Sequence, residues 1–201
     1  MVLIVASVAV VIIANRATDH PRPYQSLHVT VVATATTTRA FIRETLAEAA
    51  AIWRPAGLAI VWDGVTSDRS ASPASDLTVT VDEGATSSPD GKATLGWITF
   101  AGPDVPESEI HLSRGNALEL MTRTASVHDN ASAWQELLLS RALGRALAHE
   151  LGHYLLKSRA HTPHGLMRAI RPSSEFFSSS RLGFEITEEQ RASLADRLPC
   201  A

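Results

Sequence analysis

Two histidines four residues apart, with a carboxylate directly after the first, constrain this chain more than any other feature of its 201 residues. They are His149 and His153 in the sequence HELGH, in which Glu150 supplies the carboxylate. On an α-helix, side chains at positions i and i+4 lie on one face, so both imidazoles can bind one metal ion. Glu150 points to the flank of that face, where it can hydrogen-bond a water held by the metal. The pattern indicates a helical zinc clamp with a general base beside it.

The residues before the motif predict the helix that carries it. Ser132 and Gln135 have the spacing of a capping box, which is typical of a helix N-terminus. After the adjacent Leu137 and Leu138, apolar or motif residues recur every three or four positions, at Ala142, Ala146, His149, His153 and Leu156. We therefore expect a helix that begins near Ser132 and directs both imidazoles towards the interior.

A catalytic zinc site usually has three protein ligands and one open position for water, so a third ligand is required. His161 follows the expected end of the helix and precedes Pro163, where a turning chain can bring it back over the metal. His164 lies close behind, and Glu175 or Glu185 could bind from a later segment. We predict that His161 joins His149 and His153 as a zinc ligand, with His164 or a carboxylate as the alternatives.

The segment resembles the metzincin clan of zinc metallopeptidases, whose extended signature is HExxHxxGxxH followed by a methionine-containing turn. HELGH matches the first part of the signature, and Gly165-Leu166-Met167 looks like the methionine turn. The resemblance implies three histidine ligands, a glutamate base and cleavage of peptide bonds. Leu156 occupies the position of the signature glycine, and Arg159 occupies that of the third histidine. Because arginine stays protonated, it cannot bind zinc, and a turn longer by two residues is needed to bring His161 to the metal.

The expected activity is zinc-dependent hydrolysis of peptide bonds, most simply as a metalloendopeptidase. Zinc would lower the pKa of a bound water towards 7, and Glu150 would take its proton and later deliver it to the departing amine. Some metzincins use a tyrosine just beyond the methionine turn as an extra ligand or to stabilise the developing charge. No tyrosine follows Tyr154 here, so zinc itself, or Arg168 or Arg171, would have to stabilise that charge. One alternative is a non-proteolytic zinc-binding or interaction domain on the same fold, and another is a helical interaction module in which HELGH is accidental. The intact Glu150 argues against the first, since zinc binding alone does not require that carboxylate.

The composition is that of an ordinary globular chain, with 45% hydrophobic and 19% charged residues, and its length suits one domain with a substantial core. The net charge of −3 gives no reason to expect nucleic acid or an anionic membrane surface as a partner. The expected partner is a peptide or protein substrate, and the expected state is a monomer. Cys200 is the single cysteine, so no internal disulfide is possible.

The N-terminal residues predict export. Residues 2–14 are an unbroken run of apolar and small residues, too short for a membrane span of about 20 residues and better suited to a secretory signal. We predict that residues 1–17 are a signal peptide or an N-terminal anchor, residues 18–25 a linker and residues 26–201 the zinc metallopeptidase-like domain. The protein is therefore expected to be secreted or periplasmic, with membrane attachment only through an uncleaved N-terminal segment.

Hydrophobic periodicity predicts a β-α-β unit at the start of this domain. Residues 26–35 and 58–62 read as strands, and residues 38–56 read as the helix between them. Such a unit usually places two parallel strands side by side. Further strands are predicted over residues 77–81, 95–100 and 109–112.

The remaining segments complete an expected α+β architecture. Residues 109–114 are the candidate edge strand that would pair with an extended substrate, and residues 116–130 predict a loop or a short helix. Thr187 and Gln190 predict the cap of a last helix that runs through Leu198. The predicted fold is a single zincin-like domain, in which a mixed twisted sheet packs on the active-site helix and a further helix closes the C-terminus.

Overall fold

Eleven regular elements are present in the computed structural model, which describes residues 25–67, 75–124 and 132–197. The strands are β1 (Gln25–Ala33), β2 (Leu58–Thr66), β3 (Leu77–Asp82), β4 (Gly96–Gly102) and β5 (Val105–Ser113). The helices are α1 (Arg39–Trp53), α2 (Arg114–Thr124), α3 (Ser132–Leu156), α4 (Ser173–Phe177) and α5 (Glu188–Arg197), with a 3₁₀ turn at Arg54–Ala56.

Some sequence predictions fall outside the described residues. These are the signal peptide or anchor, all but the last residue of the predicted linker, residues 125–130 of the segment predicted as a loop or short helix, Cys200 and the predicted end of the last helix at Leu198. Across the described ranges, no helix is long and apolar enough to cross a membrane.

Helix α1 shows how local chemistry sets the limits of an element. Thr38 Oγ1 accepts a hydrogen bond of 3.1 Å from the Phe41 N–H and so caps the N-terminus of the helix. After Trp53 the chain tightens into the 3₁₀ turn, which contains Pro55, and reverses at Gly57, whose φ of 82° suits glycine. The helix predicted over residues 38–56 is therefore present as α1 and this turn.

The five strands form one mixed sheet in the order β2-β1-β3-β5-β4. β1 pairs in parallel with both β2 and β3, β3 pairs in parallel with β5, and β4 runs antiparallel to β5. The predicted β-α-β unit is confirmed, since β1 and β2 are parallel neighbours joined through α1. Apolar side chains at alternate positions of the inner strands enter the core, at Leu27, Val29, Val31, Leu77, Val79, Val81, Ile110 and Leu112.

The edge strand was predicted wrongly. β5 contains most of the candidate segment 109–114, yet it lies between β3 and β4, and β4 forms the edge. Ile110 and Leu112 are both 0% exposed, as expected of an interior strand. His111, which lies between them, faces the other side of the sheet, where its ring stacks on that of Trp97 at 4.9 Å. Alternation of polar and apolar residues identifies the two faces of a strand, but it does not indicate whether the strand lies at the edge or in the interior of the sheet.

Helix α3 is the long helix that crosses the core beside α1. It begins at Ser132 as predicted, and its midpoint approaches α1 closely at Gly144. A Cβ atom at Gly144 would lie only 2.6 Å from the Thr45 carbonyl oxygen, so a side chain there would push the two helices apart.

The C-terminal helix α5 has the predicted capping box. The Gln190 N–H donates to Thr187 Oγ1 at 3.2 Å, and the Thr187 N–H donates to Gln190 Oε1 at 3.0 Å. The predicted α+β domain, with a mixed sheet packed on the motif-bearing helix and a C-terminal helix, is confirmed.

Candidate metal centre

Helix α3 and the segment that follows it bring three histidines together. His149 and His153 lie one turn apart, with their ring centroids 4.9 Å from each other. The His161 ring lies 5.3 Å from that of His149 and 4.9 Å from that of His153. One ligand atom from each residue lies within 4.8 Å of the other two, so the group could hold a single metal ion.

A reversal of the chain at the end of α3 returns His161 to the helix. Lys157 adopts a φ of 48°, and the Ser158 N–H then donates to the His153 carbonyl at 3.2 Å. Farther along, the Thr162 N–H donates to the Met167 carbonyl at 2.9 Å and fixes the segment that carries His161. His161, which lies two residues beyond Arg159, is thereby brought beside His149 and His153.

The alternative third ligands lie elsewhere. His164 is exposed and is not part of the three-histidine group. The Glu175 carboxylate accepts hydrogen bonds from Arg168 at 2.6 Å and Arg171 at 3.3 Å. The Glu185 carboxylate accepts the Gly183 N–H at 2.8 Å.

Backbone carbonyls orient the two imidazoles on α3. His149 Nδ1 lies 2.9 Å from the Leu166 carbonyl oxygen, and His153 Nδ1 lies 2.6 Å from that of Ser158. Because a carbonyl oxygen only accepts, each Nδ1 carries the proton, and each Nε2 keeps a lone pair for a metal. Such outer hydrogen bonds are typical of metal-binding histidines.

The protonation state of the group also suits a cation. Burial lowers the pKa of His149 to about 4, and it lowers the pKa of His153 and of His161 as well. All three rings are therefore neutral at neutral pH, which is the form that binds metal. Three neutral imidazoles with room for a fourth ligand fit zinc.

Glu150 lies on the flank of α3 beneath the edge strand β4 and is only 9% exposed. A backbone hydrogen bond from Ile98 of β4 holds its carboxyl group. A Cβ atom at Gly96 would lie 3.5 Å from Glu150 Cγ, so the strand passes close over this side chain. Burial raises the pKa of Glu150 to about 8, and a dication at the neighbouring histidines would favour its ionised form.

Gly165-Leu166-Met167 passes directly against α3. Met167 is 2% exposed, and a Cβ atom at Gly152 would lie 2.2 Å from its Sδ atom, so any side chain there would displace the end of the methionine. The Leu166 N–H donates to the Glu185 carbonyl at 2.7 Å, while the Leu166 carbonyl accepts the His149 Nδ1–H. Met167 is a core residue, and its segment supports one of the candidate ligands.

Arg168 and Arg171, the two arginines considered as charge stabilisers, are held by hydrogen bonds and ion pairs within the protein. Arg171 Nη2 donates to the Leu166 carbonyl at 2.9 Å, and its Nη1 donates to the Gly183 carbonyl at 2.7 Å. Its side chain is 4% exposed. Arg168 is paired with Glu175. Arg171 therefore supports the same carbonyl that orients His149.

A cavity of about 1060 Å³ opens over the three histidines and Glu150, with β4 along one side. Two notable residues of its lining, Arg145 and Phe100, were not identified from the sequence. Arg145 lies one turn before His149 and is 0% exposed, and Phe100 of β4 has its ring 6.5 Å from that of His153. An arginine within an otherwise buried helical segment was the available signal for Arg145, while nothing local marks Phe100.

Comparison with known proteins identifies the fold. No family model and no curated protein matches this chain. The chain is similar to the crystal structure of archaemetzincin from Methanopyrus kandleri, with a TM-score of 0.55 and 13% identity over 86% of this chain and 96% of that one. It is also similar to metalloproteinase-II from Bacteroides fragilis, with a TM-score of 0.47 and 12% identity over 89% of this chain and 54% of that one, about half of its length. The first likeness shows that the chain shares the fold of that structure.

Proposed function

We propose that this protein hydrolyses peptide bonds, with zinc bound by His149, His153 and His161 and with Glu150 as the general base. The observation that carries the proposal is the meeting of three neutral imidazoles with one buried carboxylate at an open cavity. A site that only stored metal would gain nothing from burying Glu150 beside it, because an unpaired carboxyl group in the interior costs stability.

Each group at the site has its own role in the proposed reaction. When bound, zinc would lower the pKa of a water molecule towards 7 and polarise the scissile carbonyl. Glu150 takes the proton of the attacking water on a carboxylate oxygen and returns it to the departing amine. The backbone of Ile98 on β4 interacts with that carboxylate and favours its ionised form. The edge strand β4 offers backbone groups along which an extended peptide can lie.

The proposal is tested by digestion of a mixed-peptide library with the zinc-loaded protein and by identification of the new termini by mass spectrometry. We expect cleavage that stops when a chelator removes the metal and resumes when zinc is restored. Zinc-loaded protein that leaves every peptide intact would contradict the proposal and would favour a non-proteolytic zinc-binding domain.

The third ligand can be tested separately by zinc affinity. We expect His161→Ala to weaken zinc binding by more than about 100-fold, since loss of outer hydrogen-bond partners alone costs about 10–100-fold. His164→Ala is the matched control, three residues away and also exposed, and its affinity should stay that of the wild type. Competition with a chromophoric chelator measures both. The reverse order of effects would show that His164 is the ligand.

A further inference from the structure

Most basic side chains that line the cavity are paired with a carboxylate. Their ion pairs are Lys92 with Asp90 at 2.7 Å, Arg145 with Glu48 at 2.9 Å, Arg168 with Glu175 at 2.6 Å and Arg171 with Glu175 at 3.3 Å. Arg159 lines the same cavity, and among the described residues it has no carboxylate partner. Within that part of the chain, its guanidinium is therefore the cavity-lining cation without a paired carboxylate.

Arg159 is nevertheless held in a defined place. Its guanidinium carbon lies 4.5 Å from the centroid of the Phe100 ring, which is the geometry of a cation–π contact. Its Nη2 donates to the Phe100 carbonyl at 3.3 Å. The Phe100 ring in turn meets the His153 ring edge-on at 6.5 Å. The charge is thus fixed on the side of the centre where β4 passes His153.

The Arg159 guanidinium also has N–H groups that can donate hydrogen bonds to a ligand. Within the described part of the chain, Nη2 makes one hydrogen bond, and no partner is present for Nε or Nη1. Arg159 is also exposed, so a bound molecule can reach these donors. A planar fork of N–H groups without a counterion is suited to bidentate binding of a carboxylate.

We propose that Arg159 binds a carboxylate of the substrate, so that the protein prefers acidic peptides. The carboxylate belongs to an Asp or Glu side chain or to a free C-terminus, placed on the Phe100 side of the metal centre. This proposal rests on the proposed function, because it assigns the substrate class of the same cavity. Arg159 acts here as a residue for substrate specificity and takes no part in proton transfer.

The test measures binding, so that it does not depend on cleavage. Zinc-loaded Glu150→Gln protein is titrated with fluorescent hexapeptides in which each position in turn carries Asp or Asn, with the C-terminus free or amidated. We expect the best acidic peptide to bind about tenfold more tightly than its neutral partner, as charge-assisted hydrogen bonds favour. Adding Arg159→Ala should reduce this ratio to about one.

Arg123→Ala in the same background is the matched control, because Arg123 is also exposed and also donates to a backbone carbonyl, at 3.2 Å, but lies on α2 outside the cavity. It should keep the full preference. A preference that survives amidation identifies an acidic side chain as the ligand, and one that disappears on amidation identifies the C-terminal carboxylate.

Equal binding of acidic and neutral peptides, or a preference that survives Arg159→Ala, would overturn the proposal. Failure of the proposed function gives a different result. In that case zinc-loaded wild-type protein cleaves no library peptide. The ratio of acidic to neutral peptide affinities can still be measured, because it does not depend on cleavage.

Discussion

Glutamine in place of Glu150 is expected to lower kcat for peptide hydrolysis by about 10²–10⁴-fold, the usual contribution of a general base, while zinc remains bound. The amide cannot accept the proton of the attacking water, which explains the loss of rate. It has nearly the shape of the carboxyl group and can still accept the backbone hydrogen bond from Ile98. The three histidines keep their positions, so zinc occupancy should not change.

The control for this variant is Glu136→Gln. Glu136 lies on the same helix, and its 42% exposed side chain is paired with Arg114, away from the cavity. We expect its steady-state kinetics to match those of the wild type. Unchanged hydrolysis by the Glu150 variant at full zinc occupancy, measured by native mass spectrometry, would remove Glu150 from the mechanism.

Glutamine in place of Glu48 is expected to destabilise the fold by about 3–5 kcal/mol, the cost of leaving a buried charge without its partner. Glu48 accepts hydrogen bonds from Arg145 Nε at 2.9 Å and from Arg181 Nη2 at 2.7 Å. The Arg145 side chain is 0% exposed, and its burial lowers the pKa of the guanidinium, an effect that Glu48 opposes. In the variant, the charge of Arg145 would have only neutral acceptors, namely the glutamine amide oxygen and backbone carbonyls, including that of Ser180 at 2.8 Å.

Glu44→Gln on the same helix is the matched control for this loss. Glu44 is 48% exposed and pairs with the exposed Arg43 at 3.3 Å, so its removal should cost about 0–1 kcal/mol. Urea unfolding of both variants gives the comparison. Replacing Glu48 and Arg145 together, as E48Q/R145M, should recover part of the lost stability, since no buried charge then remains unpaired. Equal midpoints for E48Q and E44Q would show that Arg145 does not depend on this carboxylate.

The elements of the fold could be predicted from the sequence because their signals are local. Thr38 and Pro55 bracket α1, and the spacing of Thr187 and Gln190 marks the start of α5. The sheet order could not be predicted in the same way. The place of β5 between β3 and β4 depends on its pairing with β3, which lies on the far side of β4 in the sequence, and no local pattern encodes that pairing.

The same distinction between local signals and long-range contacts applies to the candidate site. The spacing of His149 and His153 on a helix is a local property, and the structure brings His161 to them through the turn at Lys157. The contacts that surround the site are long-range. Arg145 meets a carboxylate 97 residues earlier in the chain, and Arg159 meets a carbonyl 59 residues earlier. Export, a peptide substrate and the monomeric state stay predictions from the sequence.

The central claim is that one zinc ion at the three histidines makes this protein a peptidase. The most direct measurement is a zinc titration of the metal-free wild-type protein, with the rate of library cleavage and the bound zinc determined on the same samples. We predict that the rate rises in proportion to bound zinc and reaches its plateau at one zinc ion per chain. A rate that does not follow zinc occupancy, or full occupancy without cleavage, would contradict the claim.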